Sequence, residues 1–388
     1  MSVRATRRGL LIGGAAASLA ACSSSDDSGT PGEPSSSTST GAGPTDSTPS
    51  SAAPEPSDTS DPASTTPDPQ VAGELATGLA VPWGIAFLPD GTALVGERDT
   101  GRLLRVGKGR VDEIGTLDVY SRLDEGGETG LLGLALDPAF ADNRMVYAYV
   151  STPDDNRIVL FSYDGKTLGA PEPILTGIGT SIHHNGGGLA FGPDDMLYAA
   201  TGDAEDAASA PDTGSLDGKV LRMTNLGTAP RDNPFGNLVW SYGHRNVEGI
   251  TFDGRGRLWS AEFGDKGADE LNLIRRGKNY GWPDVEGSDG PGGYVDPLAE
   301  WPVDQCSPSG VAVADGRAWL GALQGECVWS VVLDGPDAGT STQHLTGEYG
   351  RIRSVAAAPD GSLWVTTSNR DGRTDPRPGD DRILRVMI

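Results

Sequence analysis

Two of the chain's four histidines are adjacent, His183-His184, and Asn185 and three glycines, Gly186, Gly187 and Gly188, follow at once. Asp203 lies nineteen residues beyond His184, in Thr201-Gly202-Asp203. Between them stand two strand-like runs, Leu189-Ala190-Phe191 and Met196-Leu197-Tyr198-Ala199-Ala200, joined by a Pro193-Asp194-Asp195 turn. An imidazole at the entry of one strand and a carboxylate at the exit of its hairpin partner meet in space. That is the geometry of a general base and the acid that orients it. The glycines let the backbone bend and leave room for a flat ligand.

A second polar concentration runs from Ser241-Tyr242-Gly243-His244-Arg245-Asn246 to Asn279-Tyr280-Gly281-Trp282-Pro283. Arg245 offers a planar fork of five donors to carboxylates or carbonyl oxygens, and Asn246 can both give and accept. The loop from Gly264 to Glu270 places Asp265, Asp269 and Glu270 among glycines. Such a loop is either an oxygen-ligand Ca²⁺ site or a solvated acidic turn. Arg351-Ile352-Arg353 alternates as a strand, which puts both guanidiniums on one face, aimed at a ligand or guarding a sheet edge.

The elements that must position these groups are strands, because helix signals are almost absent. A small residue, an apolar pair, a turn of Pro, Asp and Gly, then an aromatic or aliphatic strand recur six times. The copies begin at Gly84, Gly133, Gly188, Gly249, Gly310 and Ser354. Spacings of about 45 to 60 residues suit four-stranded units, so the expected class is all-β and the fold a six-bladed β-propeller. A β-sandwich accounts for the strands but not for the recurrence. Ring closure needs one blade to borrow a strand from the other terminus. Residues 72–76 and 381–386 are the candidates.

Ahead of this body, Arg4, Arg7 and Arg8 precede an apolar run that ends Leu19-Ala20-Ala21-Cys22. Residues 1–21 read as a signal peptide cleaved before Cys22. The Leu-Ala-Ala-Cys ending resembles a bacterial lipobox, which implies lipidation of Cys22 and an extracytoplasmic protein held to the membrane by lipid alone. Residues 22–69 are rich in Ser, Thr and Pro and lack aromatic residues, Lys and Arg, the composition of a disordered tether. Residues 70–388 form the propeller. A net charge of −24 makes nucleic acid a poor partner and a neutral or cationic small molecule a better one. Cys306 and Cys327, an even pair in an exported domain, read as a disulfide.

Taken together, the motifs resemble the soluble quinoprotein glucose/sorbosone (aldose sugar) dehydrogenases from about Val81 to Val386. The resemblance rests on Val81-Pro82-Trp83-Gly84, Glu128-Thr129-Gly130-Leu131-Leu132-Gly133, His184-Asn185-Gly186-Gly187, Gly202-Asp203 and Gly243-His244-Arg245-Asn246. Gly264 to Glu270, Asn279 to Pro283, Arg351-Ile352-Arg353 and Asp380-Asp381-Arg382-Ile383 extend it. It implies pyrroloquinoline quinone (PQQ) and Ca²⁺ as cofactors, a sugar as substrate and a separate electron acceptor.

By the same resemblance His184 is the base, Asp203 its orienting acid, and Arg245 and Asn246 contacts to the quinone, Arg245 beside its reactive carbonyl. Arg351 and Arg353 bind the quinone's carboxylates. The carbonyls of Gly264 and Asp265 hold the cofactor's Ca²⁺, and Asp269, Glu270 and the Tyr280 carbonyl belong to the metal-binding segment. Glu128 stands where the family has a cofactor- or substrate-contacting Gln, and Gln324 where a Lys binds a cofactor carboxylate. Gly188 replaces an Arg. The expected activity is oxidation of the C1 hydroxyl of an aldose, or of a related polyol or aldehyde, by hydride transfer to PQQ. A catalytically silent propeller that binds glycan or a cell-envelope partner is the alternative. A Ca²⁺ lactonase needs a central ring of acids and Asn, which arginines converging with His184 fit poorly.

Overall fold

The computed structural model describes residues 68–388 apart from Asp289. Residues 1–67, which include the expected signal peptide, the expected lipidation site Cys22 and nearly all of the expected tether, lie outside the described residues. Among the described residues no helix is long and apolar enough to cross a membrane.

Six four-stranded antiparallel sheets follow one another as blades, and their innermost strands form a closed ring of neighbours. Those innermost strands are Pro82–Phe87, Leu131–Leu136, Leu189–Phe191, Asn246–Phe252, Pro308–Ala314 and Ile352–Ala357. Blades 1 to 5 each use consecutive strands. Blade 6 takes its outermost strand, Gln70–Ala76, from the start of the chain, paired antiparallel with Ile383–Met387. That closure removes the open edge. Asp381 reinforces it, accepting hydrogen bonds from the N–H groups of Val81 at 3.1 Å and Asn369 at 2.6 Å.

The small residue that starts each repeat marks where neighbouring inner strands come closest. A Cβ on Gly133 would stand 2.1 Å from the Gly187 carbonyl oxygen, so only glycine fits. The sixth copy carries Ser354, whose hydroxyl donates to the Trp83 carbonyl of blade 1 and completes the ring.

Six apolar clusters fill the spaces between adjacent blades, because successive side chains on a strand leave on opposite faces. On the second strand of blade 2, Val146, Ala148 and Val150 pack against blade 1, while Tyr147 and Tyr149 pack against blade 3. On blade 5, Leu320 faces blade 4 and Trp319 faces blade 6. Each blade is thus apolar on both faces, which is why the repeats read as hydrophobic runs.

The cysteines correct the sequence reading. Cys306 and Cys327 are buried in the cluster between blades 4 and 5 as two free thiols, not as a disulfide. Burial raises both thiols, Cys327 to about 11, and Gln343 Nε2 donates to the Cys327 sulfur at 3.3 Å. Protonated thiols pack as small apolar groups, so the cluster is satisfied without the bond.

Candidate active site

His184 enters the site from the segment ahead of the inner strand of blade 3, with a left-handed backbone at φ 58°. Its neighbours hold that conformation. The Glu128 carboxylate accepts the His184 N–H at 3.1 Å, and the Ala204 N–H donates to the His184 carbonyl at 3.1 Å. Gly202 is the residue that permits this approach, since a Cβ there would stand 1.9 Å from the same carbonyl oxygen.

His184 Nδ1 lies 2.7 Å from Asp203 Oδ1. Asp203 is 1 % exposed, and its other oxygen accepts the indole N–H of Trp282 at 2.8 Å. The Glu205 N–H adds a third bond, to Oδ1 at 2.9 Å. A carboxylate held by three donors keeps its orientation. It therefore fixes the imidazole proton on Nδ1 and leaves the Nε2 lone pair to accept a proton.

His184 lines a cleft together with Glu128, His183, Arg245, Asn246, Phe263, Ser307, Leu323, Gln324, Arg351 and Arg373. Its space, open mouth included, is about 620 Å³. Its three guanidiniums each lie beside a carboxylate. Arg351 donates through Nε to the buried carboxylate of Asp371 at 2.9 Å. Arg373 reaches across to Glu128 Oε1 at 3.0 Å. Arg245 lies over the Trp282 ring at 5.4 Å and within 3.4 Å of Asp265, yet its buried Nε has no partner. The Glu262 carboxylate holds the Arg245 N–H at 2.7 Å and the ring of His244 at 2.8 Å.

The structure thus gathers His184, Arg245, Asn246, Glu128, Gln324 and Arg351 around one cleft, with Asp203 behind His184. It does not gather all the candidates. Arg353 is 1 % exposed and sits inside the propeller, where Nη1 donates to Glu248 at 2.8 Å and Nε to Ser368 at 3.1 Å. Gly188 also lies away from the cleft, against Glu248 and Ile250 of the next inner strand. Gly186 and Gly187 do not make room for a flat ligand. Side chains there would collide with the backbone of Thr201 and Gly202, and with Leu132 and Trp83.

Among the described residues no group of three or more His, Cys, Asp or Glu side chains converges on a metal position. Asp269 is engaged within the protein, accepting the N–H groups of Gly264 at 2.9 Å and Ser307 at 2.6 Å. Asp265 points into solvent toward Lys266 and Arg245. Glu270 is different. Burial, then the Glu262 charge, pushes its carboxyl up to about 8. The amide of Asn272 donates to both acids while its own buried oxygen has no partner. Two buried acids and an unmatched amide oxygen, beside Gly264 and Tyr280, suit a hard cation.

Trp282, Glu262, Asp371 and Arg373 are the parts that sequence reasoning did not assign. Trp282 stood inside a quoted motif and Glu262 just ahead of one, whereas Asp371 and Arg373 lie in a loop with no pattern of its own.

Comparison with known proteins decides the family. Residues 79–384 match the family described as Glucose / Sorbosone dehydrogenase. The chain belongs to this family. Glucose/sorbosone dehydrogenase relatives include an aldose sugar dehydrogenase of Escherichia coli K12, 31 % identical over 77 % of this chain and 90 % of that protein. Among solved structures, the PQQ-bound aldose sugar dehydrogenase from Streptomyces coelicolor is 48 % identical with a TM-score of 0.79, covering 82 % of this chain and 98 % of that one. A putative oxidoreductase (glucose dehydrogenase) from Thermus thermophilus is 42 % identical with a TM-score of 0.76, over 81 % of this chain and 99 % of that one. As a glucose/sorbosone dehydrogenase family member, the chain matches over all six blades.

Proposed function

We propose that this chain is a quinoprotein dehydrogenase that oxidises the C1 hydroxyl of an aldose, with PQQ and Ca²⁺ as cofactors. The observation that carries the reading is the His184–Asp203 pair, 2.7 Å apart and locked by Trp282, opening onto a cleft with Arg245 and Arg351. The cleft suits the quinone in charge and room, and the unpartnered Nε of Arg245 is a donor awaiting an acceptor. Arg245, Asn246, Gln324 and Arg351 are the residues that would hold the quinone. Arg353, spent on Glu248, is not among them. The carbonyls of Gly264 and Asp265 would hold its Ca²⁺, with a second cation near Glu270 and Tyr280.

When bound, the quinone supplies the acceptor for the two electrons of the C1 hydride. His184 Nε2 takes the hydroxyl proton, and Asp203 stabilises the imidazolium that results. Arg245 presents fixed positive charge where negative charge grows, with no reorganisation needed at the moment of reaction.

The reading includes an extracytoplasmic location and anchorage through Cys22, both carried by the sequence alone. Reconstitution with PQQ and Ca²⁺ should give dye-linked sugar oxidation that His184→Ala abolishes. Oxidation that survives in His184→Ala would overturn the assignment of the base. Absence of oxidation alongside normal ligand-dependent stabilisation would favour the silent glycan-binding propeller.

A further inference from the structure

His183 lines the same cleft as His184 and has no part in the chemistry above. Its surroundings repeat those of its neighbour. His183 Nδ1 lies 3.1 Å from Glu205 Oε1, as His184 Nδ1 lies 2.7 Å from Asp203 Oδ1. The two acids share one turn, in which the Glu205 N–H donates to Asp203 Oδ1. Ala204 and Glu205 both have left-handed backbones in that turn, at φ 50° and 64°. Non-glycine residues hold such angles only where their surroundings impose them. Here the Ala204 N–H is bound by the His184 carbonyl, and the Ser181 hydroxyl grips Glu205 Oε2. The Ser181 bond first, and His183 after it, outweigh burial and hold the Glu205 carboxyl below its usual range.

Exposure separates the two pairs. The side chains of His184 and Asp203 are 18 % and 1 % exposed, those of His183 and Glu205 39 % and 41 %. A proton taken by His184 is therefore trapped against a buried counter-ion, with a half-exposed imidazole–carboxylate pair beside it. The ring centroids are 6.4 Å apart. That is too far for a direct hydrogen bond between the rings and close enough for one water to bridge them.

We propose that His183, held by Glu205, is the proton outlet for His184. The inference rests on the functional reading above. The sugar O–H bond breaks and its proton goes to His184 Nε2, while the C1 hydride leaves with its electron pair to the quinone. The proton then passes from His184 Nε2 through one water to His183 Nε2, and from there to solvent or a buffer base. One proton enters the relay and one leaves, and no further oxidant is needed. The other charged groups around the two rings are Glu128 and Arg373 on the cleft wall and Arg245 with Asp265 from blade 4.

The test uses His183→Gln and Glu205→Gln in the full chain loaded with PQQ and Ca²⁺, assayed in dilute non-imidazole buffer and then with added imidazole. In dilute buffer kcat should fall by about tenfold in His183→Gln at unchanged sugar KM, and imidazole should restore it, leaving wild type unaffected. Glu205→Gln should show a smaller, likewise rescuable loss. A second readout needs no cofactor. By NMR of the cofactor-free protein in acid, where the His184 imidazolium carries a proton on Nε2 as well as Nδ1, exchange of that Nε2 proton with water should slow by a similar factor in His183→Gln. Variants with wild-type kcat in every buffer, a loss that imidazole does not restore, or unchanged exchange overturns the outlet. Absence of sugar oxidation by wild type overturns the functional reading instead, and the exchange measurement still decides the relay.

Discussion

Asp203→Asn is the substitution whose outcome the geometry fixes most tightly. Asp203 accepts three hydrogen bonds, from His184 Nδ1 at 2.7 Å, Trp282 Nε1 at 2.8 Å and the Glu205 N–H at 2.9 Å. An asparagine must turn its NH₂ toward one side or the other. Facing Trp282, it opposes donor to donor at a buried position. Facing His184, it opposes the Glu205 N–H and forces the imidazole to accept at Nδ1, which moves the ring proton to Nε2 and removes the lone pair that takes the sugar proton. Either arrangement leaves a buried donor unmatched, a cost of about 1–3 kcal/mol in stability. The second also puts His184 in the wrong tautomer, so kcat should fall by about 10²–10⁴-fold. Quinone affinity should change little, because Asp203 stands behind His184 rather than in the cleft. Thermal melts, quinone titration and dye-linked kinetics separate the three quantities. A folded Asp203→Asn protein with kcat within about threefold of wild type would refute the base-and-orienter reasoning.

Three further outcomes concern the scaffold. Arg353→Ala should leave Glu248 buried without the guanidinium it is paired to and cost about 3–5 kcal/mol by denaturant unfolding, with quinone affinity retained. If Arg353 holds the quinone instead, affinity drops. Asp381→Asn should lower the melting temperature by weakening blade closure, since its NH₂ must replace either the oxygen that accepts the Asn369 N–H or the one that accepts the Val81 and Arg370 N–H groups; an unchanged melt contradicts that role. Asp253 gives a pH signature. Burial raises its carboxyl, but bonds from the Arg257 N–H, the Trp259 indole and the Arg257 guanidinium bring it down to about 2. A carboxyl below its unfolded value contributes stability above pH 3.8 and loses it as pH falls toward 2. The wild-type advantage over Asp253→Asn, about 1–2 kcal/mol after solvent screening, should therefore be full near pH 5 and vanish near pH 2.

The architecture was legible because one physical requirement repeats in the chain. Every inner strand needs a small residue where it meets the next, and every blade needs apolar side chains on both faces. The terminal strands that close the ring were legible from the need to leave no open edge. The His184–Asp203 pair was legible because a single hairpin carries both. Trp282, which locks that pair, comes from blade 4, and no local pattern shows where its indole N–H points. Strand alternation placed Arg351 and Arg353 on one face, but Arg351 precedes the strand and a register shift falls between Ile352 and Val355. One guanidinium therefore reaches the cleft while the other turns inward to Glu248. Cysteine parity failed for a similar reason, since an apolar cluster accepts two thiols as readily as a disulfide. The glycines after His184 were misread as cofactor space because the sequence does not show that Leu132 and Thr201 already press on them.

The central claim is that this cleft holds a quinone beside His184 in a Ca²⁺-dependent way. Its most direct test is an absorbance titration of the purified protein with PQQ, with and without Ca²⁺. On the proposed function we expect saturable binding at micromolar concentration with Ca²⁺, weakened by chelation and by Arg245→Ala. A spectrum that stays that of free PQQ in the presence of Ca²⁺ would contradict it.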